Sequence, residues 1–357
     1  MASTNGTRYP FPADPAGWYC LGFSDQLAPE SILARTFMGQ EVVMLRTRGG
    51  EFALMDAHCP HMGAHLAKGG TVEGETIRCP FHGFCFDTSG TCTKTGYDTK
   101  PPPKAKLRSW PVREMNGLLM AYYHPRGEAP TWVVPELDDT DWSHLSYREF
   151  EFRGHPQETT ENSVDFGHFG IVHGYTDTEI LSDLSVEGPH LHGRYAMRRV
   201  ADVFMSPGST IRAEFHVHVW GLGYSLVDVW VEQLGLRSRV LVLPVPIDGE
   251  RIAMRSAVSI ETTLSPRRVH WALGLMPRSW ALKLIQKAAL KGYCDDLSAD
   301  FEIWEHKSYV DAPPLAVGDG PIAAYRKYCR QFYPHMKENA APSTSSATPA
   351  PEPDQGA

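Results

Sequence analysis

The stretch CPHMGAHLAKGGTVEGETIRCPFHG, residues 59–83, opens on Cys59-Pro60-His61 and closes on Cys79-Pro80-Phe81-His82-Gly83, with 17 residues between His61 and Cys79. Two thiols and two imidazoles in this order can bind metal. Tetrahedral zinc accepts the same donor set. Zinc fingers with these ligands, however, normally pair Cys with Cys and His with His along the chain, whereas each group here contributes one of each. The mixed pairing suits a two-iron cluster in which one iron takes two sulfurs and the other two nitrogens.

Outward from this stretch the sequence reads as small β structure. Trp18–Phe23, Glu41–Arg46, Phe52–Met55 and Leu118–Tyr123 are short β-prone runs separated by turns, after a Pro/Gly-rich lead-in over residues 1–17. The Pro-, Asp- and Gly-rich segment Arg126–Asp141 marks a domain boundary. Beyond it, Val186–Leu264 is strand-like, with alternation in RAEFHVHVWG and YSLVDVWVEQ, and predicts a sizeable antiparallel sheet. Ser279–His306 then carries apolar residues at helical spacing (Leu282, Leu284, Ile285, Ala289, Leu290) and ends in a second helical piece through Trp304. The tail after Lys337, AAPSTSSATPAPEPDQGA, is low-complexity and expected to be disordered. The division expected is 1–17, 18–125, 126–141 as linker, 142–336, and a tail of 337–357.

With 357 residues, 42% hydrophobic and 21% charged, the chain has room for two globular domains. A formal charge of −8 speaks against a surface that tracks a nucleic-acid backbone. The most apolar run, Val240–Ile247, is short and holds two prolines, so no membrane span is expected. No charged segment followed by an apolar one stands at the start, hence no secretory signal. Seven cysteines, an odd number, fit a reducing, cytoplasmic location better than a disulfide framework, and Cys85 and Cys92 are expected as free thiols. The Asn5-Gly6-Thr7 sequon is read as chance.

A second constellation lies in ENSVDFGHFGIVH, residues 161–173, with Glu161, Asn162, Asp165, His168 and His173. Five steps along a helix turn a side chain by about 140°, so His168 and His173 cannot share a regular helix face. Two readings are open. One is an amphipathic helix with incidental histidines; the other is a 2-His-1-carboxylate site for Fe(II) with positions left for O₂. The second requires the helix to bulge or break between the histidines, which Gly167 and Gly170 would permit. Asp165 lies one turn before His168, where a carboxylate can hold a ligand's ring N–H. The acid itself must come from elsewhere, and CDDLSADFEIWEHKSY (294–309) offers Asp295, Asp296, Asp300 and Glu302. Histidines 190, 192, 216 and 218 alternate on expected strands, where structural or surface roles are favoured over pocket lining. His58 and His65, beside the first motif, are read as surface or supporting groups.

The pattern C-x-H-x17-C-x2-H, with Gly63 and Gly83 after the histidines, resembles the Rieske [2Fe–2S] domain over roughly residues 18–125. N-x-x-D-x-x-H-x4-H resembles the catalytic signature of Rieske oxygenases. The resemblance implies an α+β protein: a small all-β Rieske domain followed by a helix-grip catalytic domain, an antiparallel sheet with a long helix. It assigns Cys59 and Cys79 to one iron of the cluster and His61 and His82 to the other. It makes His168, His173 and an acid the ligands of a mononuclear Fe(II), with O₂ as co-substrate. The acid often opens a D-x-x-I-W segment, which selects Asp300 with Asp296 as runner-up. It also has Asp165 bond a cluster histidine of a neighbouring subunit, implying a homotrimer. Glu161 and Asn162 shape the site. Respiratory Rieske proteins carry a disulfide and hydroxyl donors where this chain has Ala64 and Phe81, and Phe84 and Phe86. The cluster potential is therefore expected at the low end of the Rieske range. No dinucleotide fingerprint is present, so electrons come from NAD(P)H through a separate flavin-dependent reductase or ferredoxin. The run IWEHKSYVDAPPLAVGDGPIAAYRKYCRQFY resembles the end of 3-ketosteroid 9α-hydroxylase oxygenases and sterol 7-desaturases, which tilts the substrate toward a steroid or sterol. An O- or N-demethylase, an aromatic-ring hydroxylase, or, outside enzymes, a Rieske electron carrier are the alternatives.

Overall fold

Short runs of β-branched and aromatic residues between turns fold the first third into three small antiparallel sheets. The computed structural model describes residues 8–200 and 209–334. The sequon at Asn5 and the tail beyond Lys337 lie outside them. Gly17–Phe23, Leu118–Tyr123 and Val112–Met115 form one sheet; Ser31–Phe37, Gln40–Arg46 and Phe52–Asp56 a second; Thr71–Glu73, Thr76–Arg78, Cys85–Asp87 and Cys92–Lys94 a third. Every residue of Gly17–Phe23 is buried. The reason is that the strand has two apolar faces: Tyr19 and Leu21 pack on Phe37, Val42 and Met44, while Trp18, Cys20 and Phe23 pack on Tyr224, Leu241 and Leu243 of the large sheet. A strand sandwiched in this way has no polar alternation to display.

The large sheet has seven antiparallel strands in the order Ser146–Arg153, Arg251–Ile260, Leu236–Pro246, Tyr224–Val231, Thr210–Trp220, His190–Val200, Thr176–Glu187. Five consecutive connections are between neighbours, as short links between antiparallel strands allow. Two extensions beyond the sequence reading appear: the sheet begins ten residues before Val186, at Thr176, and Ser146–Arg153 joins it on the far edge. Since Ser146–Arg153 and Thr176–Glu187 are opposite edges, the chain between them must cross one face. It does so as two short helices, Pro156–Glu161 and Phe166–Val172.

The helical region expected as two pieces is one helix, Arg278–His306, lying across the same face. Its apolar stripe (Ala281, Ile285, Leu290, Cys294) meets Val240, Val258 and Ile260. Truncating Ile285 to Ala would cost about 2–5 kcal/mol through lost burial and the cavity left behind. The Gln286 amide donates to the carbonyls of His144 and Val258 at 2.6 and 2.8 Å, fixing the helix to the sheet edge. The helix-grip is thus present, with the small β sheets on one face and helices on the other. Between residues 124 and 145 no strand or helix occurs, yet Val134 is buried and Trp132 packs between the two parts.

Candidate metal centres

The two Cys/His groups fold into matching turns. The Cys59 N–H donates to Ala64 O at 2.9 Å and Gly63 N–H to Cys59 O at 2.8 Å; Cys79 N–H donates to Phe84 O at 2.8 Å and Gly83 N–H to Cys79 O at 3.2 Å. Each cysteine and the residue five positions on are therefore tied, which points both side chains into the space between the loops. Gly96 keeps the second loop closed, because a Cβ there would stand 2.2 Å from His82 O. The thiols are buried and the imidazoles half-buried nearer the surface. The His61 and His82 rings are 4.6 Å apart at 81°, and His61 stacks on Phe84 at 4.3 Å. Burial pushes the Cys59 thiol up to about 11, so a metal must displace its proton. Nδ1 of His61 and Nδ1 of His82 are both buried without a hydrogen-bond partner. Buried polar atoms are rarely left so, and two orphaned nitrogens in the same pair of turns as two buried thiols fit a [2Fe–2S] cluster. Phe84 and Phe86 are buried, so apolar rings occupy the positions where hydroxyl donors would otherwise stand. His58 and His65 lie outside this set, 3.5 and 3.9 Å from the Glu41 carboxylate.

In the second constellation the chain leaves helix Pro156–Glu161, turns through Asn162–Val164 and enters helix Phe166–Val172 with Asp165 as its N-cap. The expected bulge at Gly167 or Gly170 is absent. The helix runs unbroken past both glycines to Val172 and ends at its C-cap, His173 (φ −110, ψ −2), which is followed by Gly174 at φ 69. Termination supplies the swing that the five-residue spacing demands, without sacrificing an internal hydrogen bond: His173 N–H still donates to Phe169 O at 3.2 Å. The two rings meet at 5.1 Å between centroids, 81° apart.

Asp165 also differs from expectation. Its carboxylate accepts the His168 backbone N–H at 3.3 Å, as an N-cap does. The His168 ring is held by the Asp165 backbone carbonyl, 2.5 Å from Nδ1, with the carboxylate 3.8 Å away. A carbonyl only accepts, so Nδ1 carries the proton and Nε2 keeps its lone pair for a metal. Burial alone would raise the Asp165 pKa, but hydrogen bonding from His168 holds it below the ordinary carboxylate value. Gly320 permits this geometry: a Cβ there would lie 2.1 Å from Val164 O, next to the cap.

The four acids of the long helix separate cleanly. Asp300 is 6% exposed and its Oδ2 lies 3.5 Å from His173 Nε2. Asp296 instead pairs with Arg199 at 2.5 Å and receives the Tyr175 hydroxyl at 3.4 Å. Asp295 pairs with Lys291 and Glu302 faces His306. Donor atoms of His168, His173 and Asp300 all lie within 4.8 Å of one another. Metal–ligand bonds of about 2.1 Å place ligand atoms roughly 3–3.5 Å apart, so these three fit one ion. They line an apolar cavity of about 140 Å³, walled by Phe169, Met197, Phe215, Val227, Val229 and Leu297. Asn162 lines it, whereas buried Glu161 is bound by Arg326 at 2.6 and 3.0 Å. Arg199, Tyr175 and Arg326 escaped sequence reasoning, since nothing in their spacing ties them to residues 97 to 165 positions away. His190, His192, His216 and His218 sit on the opposite face of the sheet and do not line the cavity.

Comparison with known proteins gives the following. Residues 121–333 match the 3-ketosteroid 9alpha-hydroxylase C-terminal domain, and residues 17–111 match the Rieske [2Fe-2S] domain. Cholesterol 7-desaturase nvd of Xenopus laevis is 31% identical over 90% of this chain and 72% of its own. A probable 3-ketosteroid-9-alpha-monooxygenase oxygenase component of Rhodococcus rhodochrous is 28% identical over 90% of this chain and 80% of its own. Among solved structures, Pseudomonas putida CBB5 NdmA with caffeine shares the fold at 19% identity and a TM-score of 0.67, covering 90% of this chain and 91% of that one. Apo dicamba monooxygenase does so at 17% and 0.66, covering 93% and 100%. Among the described residues no helix is long and apolar enough to cross a membrane.

Proposed function

The chain belongs to the Rieske oxygenases with a 3-ketosteroid 9α-hydroxylase C-terminal domain, and from that premise we propose that it hydroxylates or desaturates an unactivated C–H bond of a steroid or sterol. The class of enzyme is given by its relatives: an oxidoreductase with a Rieske [2Fe–2S] cluster and a mononuclear iron, which uses O₂ and works with a reductase or ferredoxin. The substrate class is our reading, supported by one observation above others. The cavity lined by His168, His173 and Asp300 is otherwise walled mainly by aliphatic and aromatic side chains, with Asn162, Asp296 and a few hydroxyls, as a site for an apolar small molecule requires.

We assign Cys59, Cys79, His61 and His82 to the cluster, and His168, His173 and Asp300 to the mononuclear iron. When bound, the cluster supplies single electrons and the iron supplies a site where O₂ is reduced. The protein's own part is positional. Apolar walls exclude water and hold the substrate by shape. The Asp165 carbonyl fixes the tautomer and plane of His168. The Arg199–Asp296 pair, with Tyr175, stiffens the cavity wall one turn before Asp300. Asp165, partly exposed beside the iron ligands, is the residue we propose to meet a cluster histidine of the next subunit in a homotrimer, with NAD(P)H oxidised on a separate flavoprotein.

Incubation with a panel of steroids, sterols, methoxy-arenes and N-methyl compounds, a surrogate reductase and mass spectrometry tests the reading. A product that has gained one oxygen or lost two hydrogens supports it. Turnover confined to methoxy-arenes or N-methyl compounds would replace it with a demethylase.

A further inference from the structure

The outer face of the large sheet carries a second concentration of imidazole. His190 and His192 on one strand, and His216 and His218 on the next, form two His-x-His pairs offset by two residues, with His192 directly opposite His218, His190 opposite Trp220 and His216 opposite Arg194. On the following strand Asp228 stands opposite His216. The rings crowd together: His216 and His218 are 3.9 Å apart between centroids, His190 and His192 are 4.7 Å apart. All four histidines and Asp228 are half-buried. Stacking on Trp220 at 4.2 Å gives His190 a structural role. It gives none to His216, whose neighbours are the His218 imidazole, the Asp228 carboxylate and, across the strand pair, Arg194.

We propose that His216, His218 and Asp228 form a further metal site, which binds one divalent d-block cation of the zinc class. Donor atoms of these three residues lie within 4.8 Å of one another. His190 Nε2 and His218 Nδ1 are 3.0 Å apart. With Nδ1–H donating to His190, the His218 ring is oriented and its Nε2 is left as a ligand, the arrangement found behind most metal-bound histidines. Two imidazoles and a carboxylate select zinc, cobalt or nickel over magnesium or calcium, which prefer oxygen. Two arginines approach. Arg239 lies 3.5 Å from Asp228 but also donates to Asp138 O at 2.6 Å, and Arg194 faces Glu214 at 3.7 Å. Both have other acceptors, so an ion can take the free side of the carboxylate. Side chains alternate across a sheet, and the same strands present Phe215, Val227 and Val229 to the substrate cavity. The site is therefore separate from the iron centre, yet an ion there would clip together two strands that form the cavity wall.

The test uses purified enzyme with both iron centres filled, equilibrated with zinc, cobalt or, as control, magnesium, with every metal counted after gel filtration. Expected are about one zinc per chain with iron unchanged, a raised melting temperature, and cobalt d–d absorption. His216→Gln/His218→Gln, which keeps side-chain bulk and polarity, should abolish all three responses while retaining cluster absorption. His190→Ala should weaken zinc binding by about 10–100-fold. Zinc uptake no greater than magnesium uptake, zinc that merely replaces iron, or uptake undiminished in the folded double variant would each overturn the proposal.

Discussion

Replacing Asp300 and Asp296 by Asn, one at a time, should give opposite results although the two lie one turn apart on a single helix. Asp300 is almost fully buried, with Oδ2 3.5 Å from His173 Nε2, and among the described residues no Lys or Arg pairs with it. Asp300→Asn removes the charge that would hold iron. Iron should fall from about three to two per chain, with two labile sulfides and the cluster's EPR signal retained. The iron-free protein should lose no stability, because neutralising a buried, cation-less carboxylate is neutral or favourable by about 1 kcal/mol. Asp296→Asn, by contrast, strands the Arg199 guanidinium. Burial alone would lower the Arg199 pKa, but the bond and charge of Asp296 outweigh it and leave it raised, so Arg199 stays charged. Breaking a fully buried pair costs about 3–5 kcal/mol. Side-chain exposures of 32% for Arg199 and 20% for Asp296 discount this to about 1–2 kcal/mol. For a domain of this size that is a midpoint lower by roughly 2–8 °C, with the third iron still present. Metal analysis, EPR of the reduced protein and calorimetry on both variants read all of this. Loss of the third iron from Asp296→Asn, with retention in Asp300→Asn, would refute the assignment.

His168→Ala should lose the third iron and turnover while keeping the cluster's EPR signature; joint loss of both signals would undo the two-site reading. A redox titration should place the cluster at the low end of the Rieske range, near −150 mV in order of magnitude, with Phe86→Tyr raising the potential if its hydroxyl reaches a sulfur; a respiratory-like high value in the unmodified protein would contradict the apolar environment of Phe84 and Phe86. His155, which caps helix Pro156–Glu161 by accepting the Gln157 N–H at 3.0 Å, is pushed by burial down to about 3. The folded state therefore refuses a proton that the unfolded chain accepts below about pH 6.5, and stability falls as pH drops from 6.5 toward 3, by about 2 kcal/mol at pH 5. Melting curves at pH 7 and pH 5 should show this loss, and His155→Asn should flatten it; an unchanged slope in the variant would assign the pH dependence elsewhere.

Chemistry that repeats locally was legible in the sequence. The two Cys/His turns are each built from five or six consecutive residues, so their motif carries the geometry with it. The alternation of Val186–Leu264 likewise reports a sheet with two different faces. Ser146–Arg153 (SYREFEFR) escaped notice because it is an edge strand with mostly exposed or half-buried side chains, and period-two alternation needs a buried face to become visible. The swing between His168 and His173 was correctly required and wrongly placed. Glycine is one means, but a seven-residue helix has a cheaper one, which is to stop.

The choice between Asp296 and Asp300 shows where sequence reasoning must end. Both acids are on one helix face, each is followed by an apolar residue, Leu297 or Phe301, and periodicity treats them as equivalents. What separates them is Arg199, on a strand 97 residues earlier, whose guanidinium takes Asp296 at 2.5 Å and leaves Asp300 to His173. The cation thus does more than stiffen a wall. By pairing with Asp296 it would keep two acids a helical turn apart from competing for one iron, and so leave the two-histidine, one-carboxylate set that we assign to it. Specificity of the centre for its ligand set is, on this argument, a property of the sheet that carries Arg199 as much as of the helices that carry the ligands.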